Sequence, residues 1–235
     1  MPISRLVVCV AAILSPLSVS VTAQPLLPIS WPMLMDPQAQ VYEDPYRDLS
    51  QSQMKKLMAL ATVQHQLASG ELSASDMADH NRRAAEIEEE FASQGLDANW
   101  VLGQRDAVAA RRQNAAVATN SQLEGKLVEL SGHFLNTTSI DSGEQVIYLV
   151  PDRGVCMHLP APLPNQVIRL RVAKLPDPVG PCIAAAVRGR LSVEEAQHHI
   201  PSADGSVLMW SRWNMDVSEI TTRGSLPAYT SSKSR

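Results

Sequence analysis

The sequence predicts an α+β protein in which N-terminal helices are followed by a small five-stranded β-barrel of the OB type. Between residues 50 and 120, apolar residues recur every three or four positions, which is the period of an amphipathic helix. After Gly125 they recur at every second position, which is the period of a half-buried strand. Gly132 and Gly189 lie inside two of these strand segments, where a small barrel bends. Because the number of strands does not separate a barrel from a sandwich, a two-sheet sandwich remains the alternative.

Length and charge restrict the class of protein. The chain has 235 residues, of which 45% are hydrophobic, and this is sufficient for a packed core in one sizeable domain or two small ones. It carries 20 basic and 24 acidic residues, for a formal net charge of -4. A general nucleic-acid binder would normally have an excess of basic residues, so this class is not expected.

The first 23 residues have the pattern of a secretory signal peptide. Arg5 supplies a positive charge, residues 6–14 form an apolar stretch too short to span a bilayer, and residues 21–23 provide a small-residue cleavage site. We therefore expect a mature protein that begins near Gln24 and is periplasmic or otherwise exported. An uncleaved N-terminal anchor is the alternative.

Residues 24–49 form a proline-rich segment that is expected to be extended. It contains five prolines, which disfavour both a regular helix and a central strand. Apolar side chains lie among them, at Trp31, Met33, Leu34 and Met35. Two interpretations follow: a tail laid across the surface of the domain, or a docking segment for a partner in the cell envelope.

Helices account for the region from 50 to 120. Three are expected, over residues 50–70, 73–95 and 97–119. Gly70 and Gly95 are natural helix ends, and either Ser73 or Ser75 is expected to cap the second helix.

Strands account for residues 121–220, and a Ser-rich tail follows at 221–235. The predicted strands lie within residues 128–134, 146–150, 168–172, 187–193 and 207–217. A turn-rich loop, NTTSIDSGEQ, is expected between the first two. The third and fourth strands carry outward arginines at positions 169, 171, 188 and 190. These predict either an ordinary solvated face or an anion-binding face.

The segment 150–172, VPDRGVCMHLPAPLPNQVIRLRV, contains the residues most suited to chemistry. Cys156 and His158 are two positions apart, so in extended backbone their side chains point the same way. Such a pair is half of a transition-metal site or a nucleophile with its base. The candidate third metal ligands are His133, His198, His199 and Cys182, and the candidate third members of a triad are Asp152, Asn165 and Glu144. A buried structural cysteine beside a loop histidine is the alternative.

A disulfide is a further alternative. Cleavage of the signal peptide leaves two cysteines, Cys156 and Cys182, which can pair in an oxidising compartment. The closed loop of roughly 25 residues would stabilise the fold by on the order of 3 kcal/mol in the chain-entropy model. This pairing would compete directly with any use of Cys156 as a ligand or nucleophile.

The run LVPDRGVCMHLPAPLPNQVIRLRV resembles the signature of a bacterial family, domain of unknown function 3299. The resemblance extends to LEGKLVELSGHFL, NWVLGQRDAVAARRQ and, more weakly, AAAVRGRLSV, and so covers about residues 97–220. The residues that match the family motif are Gly154, Cys156, His158, Pro160, Pro162, Pro164, Asn165 and Gln166. The chain departs from the motif at Met157 and Leu159, at Ala161 and Leu163, which interrupt the proline series, and at Asn136.

The resemblance implies an exported envelope protein, because family members include exported proteins, some of them encoded beside ABC-type transport components linked with zinc. The leading hypothesis is a non-enzymatic accessory protein that binds zinc through Cys156 and His158, with His133 as a third ligand. The second is a structural or protein-interaction module without metal. The least favoured is a thiol-dependent enzyme with Cys156 as nucleophile and His158 as base.

Overall fold

The computed structural model describes residues 25–152, 154, 161–173, 182–202 and 205–222. Within them the protein is mixed α+β, with four α-helices and a six-stranded sheet. The four helices precede all but the first strand, so the predicted α+β class and the order of helices before strands are confirmed.

The helices are α1 (Gln51–Ser69), α2 (Ala74–Ser93), α3 (Ala98–Gly103) and α4 (Arg105–Val117). A capping box begins α1, in which Ser50 and Gln53 bond each other's backbone N–H groups. The helix ends at Gly70, whose φ of 71° lies in the left-handed region that glycine adopts without strain. Ser73 is the residue that caps α2, where its hydroxyl accepts from the backbone N–H of Asp76.

The third predicted helix is divided in two. Gln104 lies between α3 and α4, and its backbone N–H bonds the carbonyls of both Trp100 and Val101. This tightened turn redirects the chain, whereas the apolar spacing continues through it unchanged. The prediction of one continuous helix is therefore wrong at this point.

A separate apolar cluster holds α1, α2 and α3 together. Its buried members are Leu57, Leu60, Val63, Ala84, Ile87, Phe91, Ala98 and Val101. They recur at the helical spacing that the sequence indicates, so each helix buries one face against the others.

The strands are β1 (Leu27–Pro28), β2 (Leu127–Thr138), β3 (Gln145–Val150), β4 (Ile168–Arg171), β5 (Cys182–Ser202) and β6 (Gly205–Thr222). All five predicted strands occur. The short β1 is an addition, and β2 continues through the first residues of the predicted loop NTTSIDSGEQ. Strand β5 runs on to Ser202, well beyond its predicted end.

Five of the strands form a ring of hydrogen-bonded neighbours. The order in the sheet is β1-β2-β3-β4-β6-β5, and β5 pairs back onto β2. Within the ring β4 and β6 are parallel, while the other neighbours are antiparallel. Strand β1 lies parallel to the start of β2.

The ring encloses the largest apolar cluster. Among its members are Val128, Leu130, Phe134, Leu149, Ile168, Val187, Leu191, Trp213 and Met215. Gly132 and Gly189 face the same side, and there is no room for a side chain at either position. A Cβ atom at Gly189 would lie 2.5 Å from the carbonyl oxygen of Asp216, and one at Gly132 would lie 2.7 Å from that of Val150.

A second apolar layer covers the opposite face of β2 and β3. Its buried members are Leu135, Val146, Tyr148, Val150, Val167, Ile200 and Met209. Ile200 and Met209 belong to the end of the long β5–β6 hairpin, which continues past a register shift between Val193 and Ala196. The hairpin end therefore packs on β2 and β3 from outside, and β3 is buried on both faces.

The proline-rich segment contributes to the core of the ring. Leu34 is completely buried within the main cluster, and its carbonyl accepts from the Trp213 indole at 3.3 Å. The Trp31 indole donates to the carbonyl of Ser131 at 2.9 Å. The interpretation of a tail on the surface does not hold for this part of the segment, because its side chains complete the packing of the strands.

We find that none of the helices within the described ranges has the length and apolar character needed to cross a membrane.

Candidate functional site

The motif segment is only partly described by the structure. Cys156, His158 and Pro160 lie outside the described residues, so the hypotheses of a metal pair and of a nucleophile with its base stay predictions. Gly154 is described, and its backbone N–H donates to the Asp152 carboxylate at 2.6 Å. Pro162 is partly buried, as are most of the residues that lead from it to β4.

Asn165 joins the motif to the helical region. It lies in the short 3-10 helix Pro164–Gln166 and is completely buried. Its Nδ2 donates to the carbonyls of Ala115 and Ala118, at 2.7 Å and 2.9 Å. These carbonyls lie at the end of α4, where the helix leaves acceptors without partners. Asn165 is therefore the C-terminal cap of a helix that lies about fifty residues earlier in the chain.

Gln166 makes the matching contact with the N-terminal segment. Its Nε2 donates to the carbonyl of Trp31 at 3.0 Å, across a sequence separation of 135 residues. The Asn-Gln pair thus ties together α4, the N-terminal segment and the start of β4. Its role in the described structure is architectural: hydrogen bonds from this pair to backbone groups are what the sequence indicates, but the distant partners are not.

Cys182, the first residue of β5, is disulfide-bonded. Its partner lies outside the described residues. The sequence contains three cysteines, so that partner is Cys9 or Cys156.

His133 faces the same side of the sheet as Cys182. His133 pairs with Ala184 and Leu135 pairs with Cys182, and alternate residues of paired strands share one face. The Nδ1 atom of His133 is buried and has no hydrogen-bond partner among the described residues. The structure thus places the predicted third ligand on the same face of the sheet as Cys182. Across the described ranges, no three His, Cys, Asp or Glu side chains come together as a metal site.

The other predicted histidine ligands are engaged elsewhere. His198 lies on the β5–β6 hairpin, and its Nδ1 is 2.7 Å from the hydroxyl of Tyr148. Burial raises the pKa of Tyr148 to about 12, so the phenol stays protonated and donates to a neutral imidazole. Burial also lowers the pKa of His198, and the positive charge of Arg169 contributes in the same direction. The result is a partly buried hydrogen bond that anchors the hairpin end on β3.

His199 binds the turn before β3. Its backbone N–H donates to Asp141 at 2.8 Å, and its ring Nδ1 is 3.1 Å from both carboxylate oxygens. The backbone hydrogen bond from His199 is the main reason that the pKa of Asp141 lies below its usual value. Two adjacent histidines therefore each hold a different part of the fold.

Three of the four strand arginines are occupied. Arg171 pairs with Asp216 at 2.8 Å and with Glu194 at 2.7 Å. Arg188 binds the carboxylates of Glu129 and Glu219. Arg190 donates to the carbonyl of Gly125 at 2.6 Å. A broad anion-binding face is therefore not formed, because the charges of Arg171 and Arg188 are neutralised on the surface itself.

Arg169 is different from the other three. Its register partners are Tyr148 on β3 and Asn214 on β6, and neither supplies a carboxylate. Within the described ranges its guanidinium donates no hydrogen bond and forms no ion pair. The Asn214 side-chain oxygen is also buried without a partner among the described residues. At this position of the sheet, the Arg169 guanidinium has no carboxylate partner and the Asn214 side-chain oxygen has no donor among the described residues.

A cleft of about 480 Å³ lies beside Arg169. It is lined by residues 145–147 of β3 and 169–173 of β4 and the chain after it. No motif in the sequence indicates this cleft, because it arises where two strands diverge.

The fold and these contacts define a mixed α+β protein with a ring of strands, braced by an N-terminal helical region. The chain belongs to the DUF3299 family, described as protein of unknown function, whose model matches residues 31–221. This confirms the family resemblance of the motif, and the match is longer than the region from 97 to 220 that the motif indicated.

Among solved structures, the chain is similar to a crystal structure of a DUF3299 family protein, PA4066, from Pseudomonas aeruginosa PAO1 at 2.45 Å resolution. The two are 16% identical, with a TM-score of 0.41, over 86% of this chain and 99% of the other. The comparison with curated proteins gives no match.

Proposed function

We propose that this protein is an exported, non-enzymatic accessory protein of the bacterial envelope that acts by binding a partner. The observation that carries the proposal is the disulfide at Cys182. Structural disulfides persist in oxidising compartments such as the periplasm and are rare in the cytosol. A signal-like N-terminus and a disulfide are independent features, and both favour export.

Cys156 is the proposed partner of Cys182. Cys9 lies in the predicted signal peptide and would be lost on cleavage, which leaves Cys156 in the mature chain. The bond would fix the motif segment to the start of β5, on the face that carries His133. In this state Cys156 supplies neither a thiolate nucleophile nor a metal ligand.

Export and the disulfide are tested together. The full chain is expressed in a bacterium, and its mature form is recovered from the periplasmic fraction. Intact mass should show a start near Gln24 and a loss of two hydrogen atoms relative to the reduced chain. Peptide mapping should then link Cys156 to Cys182. A chain that stays in the cytoplasm with free thiols would contradict the proposal.

The ring of strands is proposed to be an OB-type barrel that presents the binding surface. Five strands closed by the β2–β5 pairing, with β4 and β6 parallel, support this assignment. A component of an ABC-type transport system is the partner class that the family resemblance implies. Site-specific photocrosslinking in cells, from Arg169 and from the matched helical position Arg83, tests it. Crosslinks to a transport component at Arg169 alone would support this partner class.

Zinc binding by Cys156, His158 and His133 is the second candidate. It is favoured by the buried His133 Nδ1 atom, which has no partner within the described residues and is a suitable zinc ligand. This site requires Cys156 to be reduced. Equilibrium dialysis of the reduced mature protein should show bound zinc that is lost in His133→Ala and retained in His65→Ala. Equal uptake by both variants, or no uptake at all, would exclude these ligands.

A further inference from the structure

The pairing between β3 and β4 stops early. Only Tyr148 with Arg169 and Leu149 with Ile168 are register partners. If the antiparallel ladder continued, residues 145–147 would pair with residues 170–172. Both strands go on in these directions, since β3 begins at Gln145 and β4 ends at Arg171. Each strand of the ring is therefore paired with two neighbours, but the β3–β4 pair is open over part of its length.

The cleft of about 480 Å³ fills this split. Residues 145–147 on one side and 170–173 on the other have backbone edges that do not pair with each other. Ile147 and Leu170 are buried on the ring side of the cleft, while the surface that the cleft exposes is mainly polar. Unpaired strand edges are the feature with which β-sheets accept an added strand.

Charge in the cleft favours an acidic occupant. Arg171 is already bound to Asp216 and Glu194, whereas Arg169 has no acceptor within the described part of the chain. Arg169 points to the face opposite the buried Ile168 and Leu170, which is where alternate side chains of an added strand would lie. A carboxylate at that position would form a charge-assisted hydrogen bond with the guanidinium.

We propose that an extended acidic peptide segment of a partner protein binds between β3 and β4 as an additional strand. Its backbone bonds the open edges of residues 145–147 and 170–173, and its apolar residues face the inside of the ring beside Ile147 and Leu170. A glutamate or aspartate on its other face binds Arg169. The inference deepens the proposed function and rests on it for the nature of the partner, but binding itself does not depend on export.

The test uses the purified full mature chain and three fluorescein-labelled peptides. The first alternates valine and glutamate, the second replaces each glutamate with lysine, and the third is the first with N-methylated backbone amides. Fluorescence anisotropy should show binding of the first peptide only. The lysine peptide lacks the charge that Arg169 binds, and the N-methylated peptide lacks the backbone donors that pair with strand edges.

Two variants test whether Arg169 belongs to the peptide-binding site. Arg169→Gln should weaken binding of the valine-glutamate peptide about tenfold, because a hydrogen bond to a charged group is lost. Arg83→Gln, on the exposed surface of α2, is the charge-matched control and should bind as the unmodified protein does. Equal weakening in the two variants would show that only net charge matters and would overturn the proposal.

Hydrogen exchange provides a second measurement that does not rely on a variant. The peptide should protect the amides of residues 145–147 and 170–173 and leave those of α1 unchanged. Binding of the N-methylated peptide with the same affinity would exclude strand addition. Binding of a thymidine oligonucleotide in place of the acidic peptide would overturn the proposal in favour of a nucleic-acid site. Loss of peptide binding with export and the disulfide intact would reject this inference alone.

Discussion

Single residues hold this molecule together across long stretches of sequence. Asn165 and Gln166 belong to a motif that is suited to chemistry, yet their side chains bond the end of α4 and the N-terminal segment. The sequence identified both as motif residues. It did not reveal their partners, because a helix cap normally lies next to its own helix and here the separation is 47 to 50 residues.

Asn165 is expected to be the more critical of the two. Asn165→Ala removes two hydrogen bonds and leaves the carbonyls of Ala115 and Ala118 without this donor, so the free energy of unfolding should fall by about 2–4 kcal/mol. Urea denaturation followed by circular dichroism measures the loss. Asn81→Ala, at an exposed position of α2 whose side chain makes no hydrogen bond to the described residues, is the control and should change stability by less than about 0.5 kcal/mol. Equal effects would show that the cap is not needed.

Asp44 makes stability depend on pH. Its side chain is 3% exposed and binds Arg112, and this hydrogen bond holds the pKa of the carboxyl below its usual value of 3.8. The unfolded chain therefore takes up the proton first as the pH falls. The stabilisation is present in full above pH 3.8 and is lost as the pH falls through the lower pKa of the folded state.

The variant Asp44→Asn should remove this dependence. Urea midpoints measured at neutral pH and below pH 3.8 should converge for the two proteins as the pH falls. Asp48→Asn, at an exposed position, should follow the unmodified protein throughout. If the gap between Asp44→Asn and the unmodified protein were the same at every pH, the ion pair would not be its cause.

At the scale of elements, alternation in the sequence predicts which strands exist but not how far they extend. Strand β5 continues to Ser202 past a register shift between Val193 and Ala196, and this shift breaks the alternation there. The pattern of VEEAQHHIPS therefore does not predict a strand. Similarly, the prolines predict an extended N-terminal segment, but the burial of Leu34 depends on Trp213, which lies 179 residues later.

The central glycines of the ring permit close approach of strands. Gly189→Ala places a Cβ atom 2.5 Å from the Asp216 carbonyl oxygen and 2.6 Å from Met215 Cγ, so the β5–β6 pairing must shift. We expect a loss of about 1–3 kcal/mol in the free energy of unfolding, measured with urea. Gly103→Ala is the matched control, because a Cβ atom there meets nothing within 4 Å. It should be neutral or stabilising by up to about 1 kcal/mol.

Within the described residues the helices and the ring each have their own apolar centre, and a smaller apolar layer lies outside β2 and β3. The bonds from Asn165 to the carbonyls at the end of α4 connect the ring with the helical region. Periodicity in the sequence indicated both centres. It could not indicate the cleft between β3 and β4, because the divergence of two strands depends on what each packs against rather than on its own alternation.

Separate centres should give separate local stabilities. Leu60→Ala removes a completely buried side chain from the helical centre, at a cost of about 2–5 kcal/mol. Hydrogen exchange should then accelerate in α1 and α2, while β2 and β6 keep their protection. Leu191→Ala in the ring is the counterpart and should accelerate exchange in the strands. Equal acceleration everywhere in both variants would show a single cooperative unit.

Closure of the ring also sets the order of events during folding. Residues of β2 must pair with residues of β5 that lie 47 to 63 positions later, and Leu34 must meet Trp213, 179 positions later. Contacts of such high sequence separation slow folding, because the entropy of loop closure is lost before the contacts form. A chain still emerging from the ribosome therefore lacks the strands that complete its core. We expect it to become compact only after its last strand arrives, and such a delay would suit passage through a translocation channel under the export that we propose.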